Sequence, residues 1–351
     1  MRAALKAEAA VPDETGFIDS GSIKLEIEIL RSIHKSGVKP HVPECFHAAK
    51  HTKFCYMIMT LLGENLKTLK SQNEGEFFTY STWLRLGIQC LYSLKIVHDE
   101  GFVHRDIKPC NFVMGDSEDP ERARILYILD FGLARSFAFR FGNKWCVRLA
   151  RGSCEFRGTM RYASPNVHDR LEQGRRDDIW SLMYVLIECH CGLPWQSESS
   201  KAKIENTKCN MRDEIIMQNM PVELHSVLPE LRKLDCYQRP DYLGIYNALL
   251  AVIKRKKIAM DDPYDWERYE SKTPRSKTIP AWHNASAFFK SDPLGIRKGP
   301  QSQKQLKNGS GSENKKKRAQ LKDDKSSGRS NKNPRKGPQP ATIQNEKTDE
   351  A

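Results

Sequence analysis

The sequence predicts a globule of mixed helices and strands, α+β, without internal repeats and continued by a long polar tail. Three observations carry this. Short apolar runs of strand length, Phe54 to Thr60 and Ile125 to Leu129, are mixed with stretches whose apolar residues return every three or four positions. No run approaches the roughly 18 to 20 uninterrupted apolar residues that cross a bilayer. The last segment, from Ser291 to Ala351, contains no Phe, Trp or Tyr.

Taken in order, the elements follow from spacing. A helix is predicted from about Ser22 to Lys35, because Ile23, Ile27 and Leu30 recur on one face and Gly37 and Pro40 supply the stop. Phe54 to Thr60 reads as a strand. A longer helix is predicted from Thr82 to Glu100, with Leu84, Ile88, Leu91 and Lys95 on one stripe and Gly101 placed as its cap. The run from Asp177 to Cys189 is apolar on nearly every side, which predicts a helix buried in the centre of a domain.

Composition narrows the class. The chain has 351 residues, with 57 Lys and Arg against 44 Asp and Glu, for a net charge of +13. Ten cysteines at irregular spacing, in a chain long enough to bury a core without disulfides, predict reduced thiols and a cytosolic or nuclear protein. The opening residues, with Glu8 in a short alanine-rich run, do not form a secretory signal core. Much of the positive charge lies at the end. Ser291 to Ala351 holds 15 Lys and Arg against seven Asp and Glu, too polar to offset the entropy of ordering, and is predicted to be a disordered tail. Its densest run, Lys315 to Arg318, reads as a solubilising stretch that binds acidic partners non-specifically, or as a nuclear-localisation or nucleic-acid-binding element.

The chemistry appears after the second helix. Residues 104 to 111 read His-Arg-Asp-Ile-Lys-Pro-Cys-Asn and residues 130 to 132 read Asp-Phe-Gly. Together they match the protein-kinase catalytic loop and the magnesium-binding motif that follows it. With residue frequencies of about one in twenty per position, so many specified residues in order do not arise by chance. Phosphoryl transfer needs a carboxylate to orient the attacking hydroxyl and accept its proton, and hard oxygen donors to hold magnesium on the nucleotide. Asp106 is the candidate base, Asn111 and Asp130 are the candidate metal ligands, and Lys108 can balance charge on the transferred group. Lysine in Asp-Ile-Lys-Pro resembles serine/threonine kinases.

The resemblance narrows further along the chain. Gly158-Thr159-Met160-Arg161-Tyr162-Ala163-Ser164-Pro165-Asn166, followed by Arg175-Arg176-Asp177-Asp178-Ile179-Trp180-Ser181-Leu182, is similar to the casein kinase I superfamily. Leu86-Gly87 and Gln89, Phe156 to Thr159, Leu193-Pro194-Trp195, and Asp262-Pro263-Tyr264-Asp265-Trp266-Glu267 resemble its tau-tubulin kinase branch. The resemblance covers about residues 1 to 270. It implies a two-lobed protein-kinase fold: a partial N-terminal lobe and hinge over 1–62, a mostly helical C-terminal lobe over 63–270, a linker over 271–290 and the tail over 291–351. It implies ATP and Mg2+ as cofactors. It also implies that Lys6, in Ala3-Ala4-Leu5-Lys6, contacts the nucleotide phosphates with Glu26 as its partner, that Met59 is the gatekeeper and that Leu62 is the hinge residue facing adenine.

One feature departs from the family. If Lys6 stands on the third strand, two strands and a Gly-rich loop should precede it, yet no Gly-x-Gly-x-x-Gly occurs in the chain. Either the sequence is an incomplete gene product lacking an upstream piece, the favoured reading, or the small lobe is genuinely truncated, and the chain as given is expected to bind ATP weakly and show little or no activity. The alternative function is a pseudokinase or scaffold.

Three smaller readings complete the set. Cys189-His190-Cys191 lacks a second Cys/His pair at supporting spacing and reads as structural. Asn166 stands where most kinases carry a glutamate that pairs with an arginine, here Arg239, and a hydrogen bond is expected in place of the ion pair. Finally, Leu133 to Arg157 carries Arg135, Arg140, Lys144, Arg148, Arg151 and Arg157 against Glu155 alone. Beside a catalytic cleft this predicts that Arg135, Arg148, Arg151 and Arg157, with Thr159, bind substrate, and that the protein substrates carry acidic or phosphorylated sites.

Overall fold

Alternation builds the first strand. Over Ala3–Ala9 the side chains of Ala4, Lys6 and Glu8 turn inward and those of Leu5, Ala7 and Ala9 outward. In the computed structural model, which describes residues 2–9, 11–12, 18–19, 21–268 and 284–296, this strand is one edge of a three-stranded antiparallel sheet. Phe54–Thr60 lies in the middle, with Met57 opposite Lys6, and Cys45–Lys50 forms the far side with a register shift between Cys45 and His47. The first helix runs Gly21–Ile33, and the last residues expected in it form a 3-10 turn, His34–Ser36, closed at Gly37. Its start is capped from the strand: Glu8 accepts the amide of Ile23 at 2.7 Å and that of Ser22 at 3.3 Å. A carboxylate at a helix N-terminus satisfies orphan donors and favours the dipole. Sheet and helix together make the small lobe.

A second three-stranded sheet, Leu62–Asn65, Phe112–Gly115 and Leu126–Ile128, connects to the helical lobe. The long helix begins two residues earlier than its periodicity predicts, at Tyr80, and ends at Asp99. The reason is distant in sequence. Asp265 accepts the Thr79 amide at 2.8 Å and the Thr79 hydroxyl at 2.6 Å, and Thr79 Oγ1 accepts the Thr82 amide. The helix is also buried on nearly all sides rather than along one stripe, including Arg85, Gln89, Lys95 and His98.

Each of those polar groups has a partner, as burial demands. Arg85 donates to the carbonyls of Asp262 and Pro263 and lies 4.2 Å from the Tyr264 ring centre. Gln89 donates to Tyr264 Oη at 2.9 Å and to the Arg124 carbonyl, and accepts the Leu126 amide at 2.8 Å. Arg124 closes the group with a bidentate pair to Glu267 at 2.8 and 2.7 Å. Residues 262–267 are thus a clasp on the long helix.

The central helix, Arg175–His190, is buried throughout Ile179 to Ile187, as its apolar circumference predicts. Trp83 of the long helix donates to the Leu186 carbonyl at 2.9 Å. Helices Lys201–Asn210, Val227–Arg232 and Tyr242–Arg255 complete the lobe. All ten cysteines are free thiols, and among the described residues no helix is long and apolar enough to cross a membrane.

The expected boundary at the C-terminal end shifts. Asn284 to Ile296, read as linker and tail, folds onto the large lobe through the helix Ala285–Lys290. Phe289 is fully buried against Tyr246, and Leu294 and Ile296 join a small core with Val103, Phe137 and Ala138. Arg239 donates to the carbonyls of Phe289 and Ser291 at 2.7 and 2.9 Å. A few apolar residues in a polar segment suffice when the surface that receives them is already formed, which composition averaged over the whole tail conceals. Residues 269–283 and 297–351, including Lys315 to Arg318, lie outside the described residues.

The clasp generates a stability test. Asp265→Ala removes the acceptor for both Thr79 donors, and by the usual worth of caps and charge-assisted hydrogen bonds it should cost about 2–3 kcal/mol, measured from the urea midpoint at unchanged slope.

Candidate active site

The catalytic loop is suspended from one carboxylate. Asp178, near the start of the central helix and 2% exposed, accepts the amides of His104 at 2.6 Å and Arg105 at 2.8 Å. It also accepts His98 Nε2 at 2.8 Å, while His98 Nδ1 meets Tyr242 Oη at 2.7 Å. Burial works to raise the Asp178 pKa, but the bonds and charge from His98, His104 and its amide outweigh this and hold it below the usual range. Burial also lowers the pKa of His98, against the pull of Asp178, so its neutral ring donates from Nε2 and accepts from Tyr242. Arg105 takes a left-handed backbone, φ +69°, and its side chain donates to the Leu133 carbonyl at 2.6 Å.

This turn delivers Asp106 in a nearly buried position. One carboxylate oxygen accepts the Thr159 hydroxyl at 2.6 Å and the other the Lys108 ammonium at 2.5 Å. Burial opposes the charge on Lys108, yet Asp106 and Asp130 outweigh it and raise its pKa. Asn111 Nδ2 donates to the Asp106 carbonyl at 2.9 Å. Thr159 reaches Asp106 because Gly158, at φ +108°, lets the chain pass the catalytic loop: a Cβ there would stand 2.4 Å from the Arg105 carbonyl oxygen.

The small lobe supplies the opposite wall. Lys6 Nζ lies 2.5 Å from the buried Glu26 carboxylate and 3.9 Å from Asp130. Asp130 has φ +67°, an uncommon conformation for a non-glycine residue, and Phe131 beside it is fully buried with its ring 5.2 Å from that of His104. Met59 is buried opposite Ala4, and Leu62 stands opposite Gly115, on either side of the link between the two sheets. Lys6, Glu26 and Asp130 thus form one linked group, and Asp106, Lys108, Asn111 and Thr159 form another. With its nitrogen bound to the Asp106 carbonyl, Asn111 keeps its amide oxygen for other use, and that oxygen and the half-exposed Asp130 carboxylate are donors of the type that suits a hard cation such as magnesium. Among the described residues there is no group of three or more His, Cys, Asp or Glu that suits a metal held by protein alone. Cys189 is buried and His190 stacks on Trp83 at 4.4 Å, as the structural reading requires.

The arginine cluster differs from its expectation. Glu172, which lies beyond the basic stretch Leu133 to Arg157, takes Arg151 in a bidentate pair at 2.7 and 2.9 Å and approaches Arg135 at 3.5 Å. Although partial burial works the other way, Arg151 pulls the Glu172 carboxyl down to about 2. Arg157 pairs with Glu155 at 2.7 Å on the surface, and Arg148 lies 5.5 Å from the Phe139 ring centre. The four arginines thus form no single anion site. Asn166 also fails to meet Arg239. It donates to Asp177 Oδ1 at 2.9 Å, beside Ser164 at 2.5 Å, so the substrate-side loop is tied to the central helix instead.

Lys208 carried no signal in the sequence. It is fully buried, donates to the carbonyls of Met160 and Ala163 at 2.5 and 2.8 Å, and burial drives its pKa well down. It holds the loop that follows Thr159.

Comparison with known proteins agrees with this geometry. Residues 4–251 match the protein kinase domain. A Caenorhabditis elegans protein named inactive tau-tubulin kinase ttbk-6 is 44% identical over 284 residues, covering 79% of this chain and 97% of the relative. A putative serine/threonine-protein kinase of the same organism is 39% identical over 74% of both chains. A putative casein kinase I, also from C. elegans, is 33% identical over 73% of this chain and 76% of its own length. Catalytic loop, ion pair and similarity converge, and the chain belongs to the protein kinase family, in the casein kinase I superfamily and beside the tau-tubulin kinases.

Proposed function

We propose that the protein transfers the γ-phosphate of MgATP to serine or threonine hydroxyls of protein substrates. The observations that carry this are the placement of Lys6, at once on Glu26 and within 3.9 Å of Asp130, and an Asp106 already hydrogen-bonded to Lys108 and Thr159. Lys6 would orient the nucleotide phosphates. Asp106 would accept the proton of the attacking hydroxyl as the new oxygen–phosphorus bond forms and the bond to the β-phosphate oxygen breaks. Lys108 would balance charge on the moving phosphoryl group. Magnesium, when bound, neutralises phosphate charge, and Asn111 and Asp130 would hold it. Met59 and Leu62 would meet the adenine end.

A second reading has one observation in its favour: the relative that matches over 97% of its length is named inactive. On that reading the chain is a kinase-fold scaffold without turnover. Transfer of labelled phosphate from MgATP to a serine peptide decides between them. The kinase reading expects transfer, a rate at least about a hundredfold lower for Asp106→Asn, and a nucleotide-dependent rise in unfolding temperature that Asp106→Asn keeps and Lys6→Met loses. Absence of transfer by the unaltered protein, with its unfolding temperature still raised by MgATP, supports the scaffold.

For substrate choice, the arginines not held by Glu172 support recognition of acidic neighbours. Arg157, with Arg105, Thr159 and Gln173, lines a small cavity beside Asp106, and its exposed bond to Glu155 is of the kind that a substrate anion displaces at little cost. Arrayed serine peptides should therefore be phosphorylated faster when a phosphoserine or acidic cluster lies near the target, and added salt should reduce the preference. Equal rates with basic flanks would contradict it.

A further inference from the structure

The hairpin of Ala138–Phe141 and Lys144–Val147, in the segment between Asp130 and the substrate-side loop, has two unlike faces. Pairing decides which residues share one. Ala138 with Val147 and Arg140 with Trp145 form the inner face, and Phe139 with Cys146 and Phe141 with Lys144 form the outer. The inner face is anchored. Trp145 and Val147 pack on the small core that contains Val103, Phe137, Leu294 and Ile296. Gly101, at φ +82°, approaches so closely that a Cβ would stand 2.7 Å from the Ala138 carbonyl oxygen and 2.9 Å from the Trp145 ring.

The outer face is open. Phe139 is 42% exposed and Phe141 77%, with Leu149 beyond the hairpin at 72%. Lys144 and Arg148 border it, and among the described residues neither has a carboxylate partner. Two phenylalanines held out on a strand whose other face is packed, within a cationic border, mark an interaction surface. Their side chains, two positions apart on one strand, stand roughly 7 Å from each other, the spacing of alternate side chains in an extended peptide.

We propose that this face docks an acidic, aromatic-containing segment of the protein substrate, at a site separate from the hydroxyl that is phosphorylated. That the segment belongs to a substrate rests on the kinase reading; the binding itself does not. Charge complementarity selects the occupant, since a second copy would bring the same cations face to face. The strand-like spacing of the phenylalanines suits a peptide better than a lipid surface.

The test is binding without turnover. Fluorescein-labelled random copolymer of glutamate and tyrosine is titrated with the full chain and followed by anisotropy, with polyglutamate of equal length as the comparison. The copolymer should bind at least about tenfold more tightly than polyglutamate, because only it buries aromatic surface on the phenylalanines. Phe139→Ser combined with Phe141→Ser should remove that difference, and Lys144→Glu should weaken binding of both polymers, as should added salt. Asp106→Asn should bind like the unaltered protein, so failure of catalysis and failure of docking remain distinguishable. The three altered positions of the hairpin are exposed, and an unchanged unfolding temperature verifies folding. Equal affinity for the two polymers, or undiminished copolymer binding by the serine variant, overturns the proposal. So does a finding that the phenylalanines instead mediate binding to phosphatidylserine vesicles or self-association in sedimentation, with copolymer binding unaffected.

Discussion

A carboxylate removed from water organises the candidate active site. Asp178 arrives on a helix that is buried for its own reasons, being apolar all round, and it brings acceptors to the two amides of His104 and Arg105 that the tight catalytic loop cannot satisfy within itself. Buried donors without partners cost about 1–3 kcal/mol each, so the loop and the helix position one another. His98 supplies the remaining donor, and Tyr242 fixes which nitrogen carries the proton. Asp177, one residue earlier, does the same for the other side of the cleft by accepting from Ser164, Asn166 and the Gly174 amide. Two adjacent residues therefore set the distance between Asp106 and Thr159, with Lys208 holding the far end of the same loop by its carbonyls.

The small lobe is ordered by bonds between its strand and its helix. Glu8 caps the helix that carries Glu26, and Lys6, two residues earlier on the same inward face of the strand, reaches Glu26 and approaches Asp130. Strand period and helix start thus cooperate. The period of two puts Lys6 and Glu8 on one side, and the cap fixes the helix so that its second turn faces the lysine. Aligned in this way, the Lys6–Glu26 pair is the arrangement that kinase catalysis requires.

Charge on the large lobe has two different fates. Arg135 and Arg151 are committed to Glu172, whose depressed pKa reflects that partnership, and Arg124 is committed to Glu267 in the clasp around the long helix. Lys144 and Arg148 instead border exposed phenylalanines on the hairpin. A count of basic residues along the chain merges these groups, although the first is structural and the second faces solvent.

The sequence by itself determined the family and named most residues of the candidate site. Asp106, Lys108, Asn111 and Asp130 lie in two short motifs whose spacing is set by local backbone chemistry, and the resemblance that these motifs opened extended to Lys6 and Glu26. The strand at Phe54–Thr60 and the buried helix after Gly174 were also legible, because continuous apolar character is a local property. Tertiary structure alone decided the partners. Glu172 neutralising Arg151, Asp265 starting the long helix from 186 residues away, Asn166 turning to Asp177 and not to Arg239, and Phe289 finding a pocket from within a polar segment all join residues that no period or motif connects. Buried polar groups take whichever partner the packed fold brings within hydrogen-bond distance. That choice is made by packing in three dimensions, and it leaves no mark on the spacing of residues along the chain.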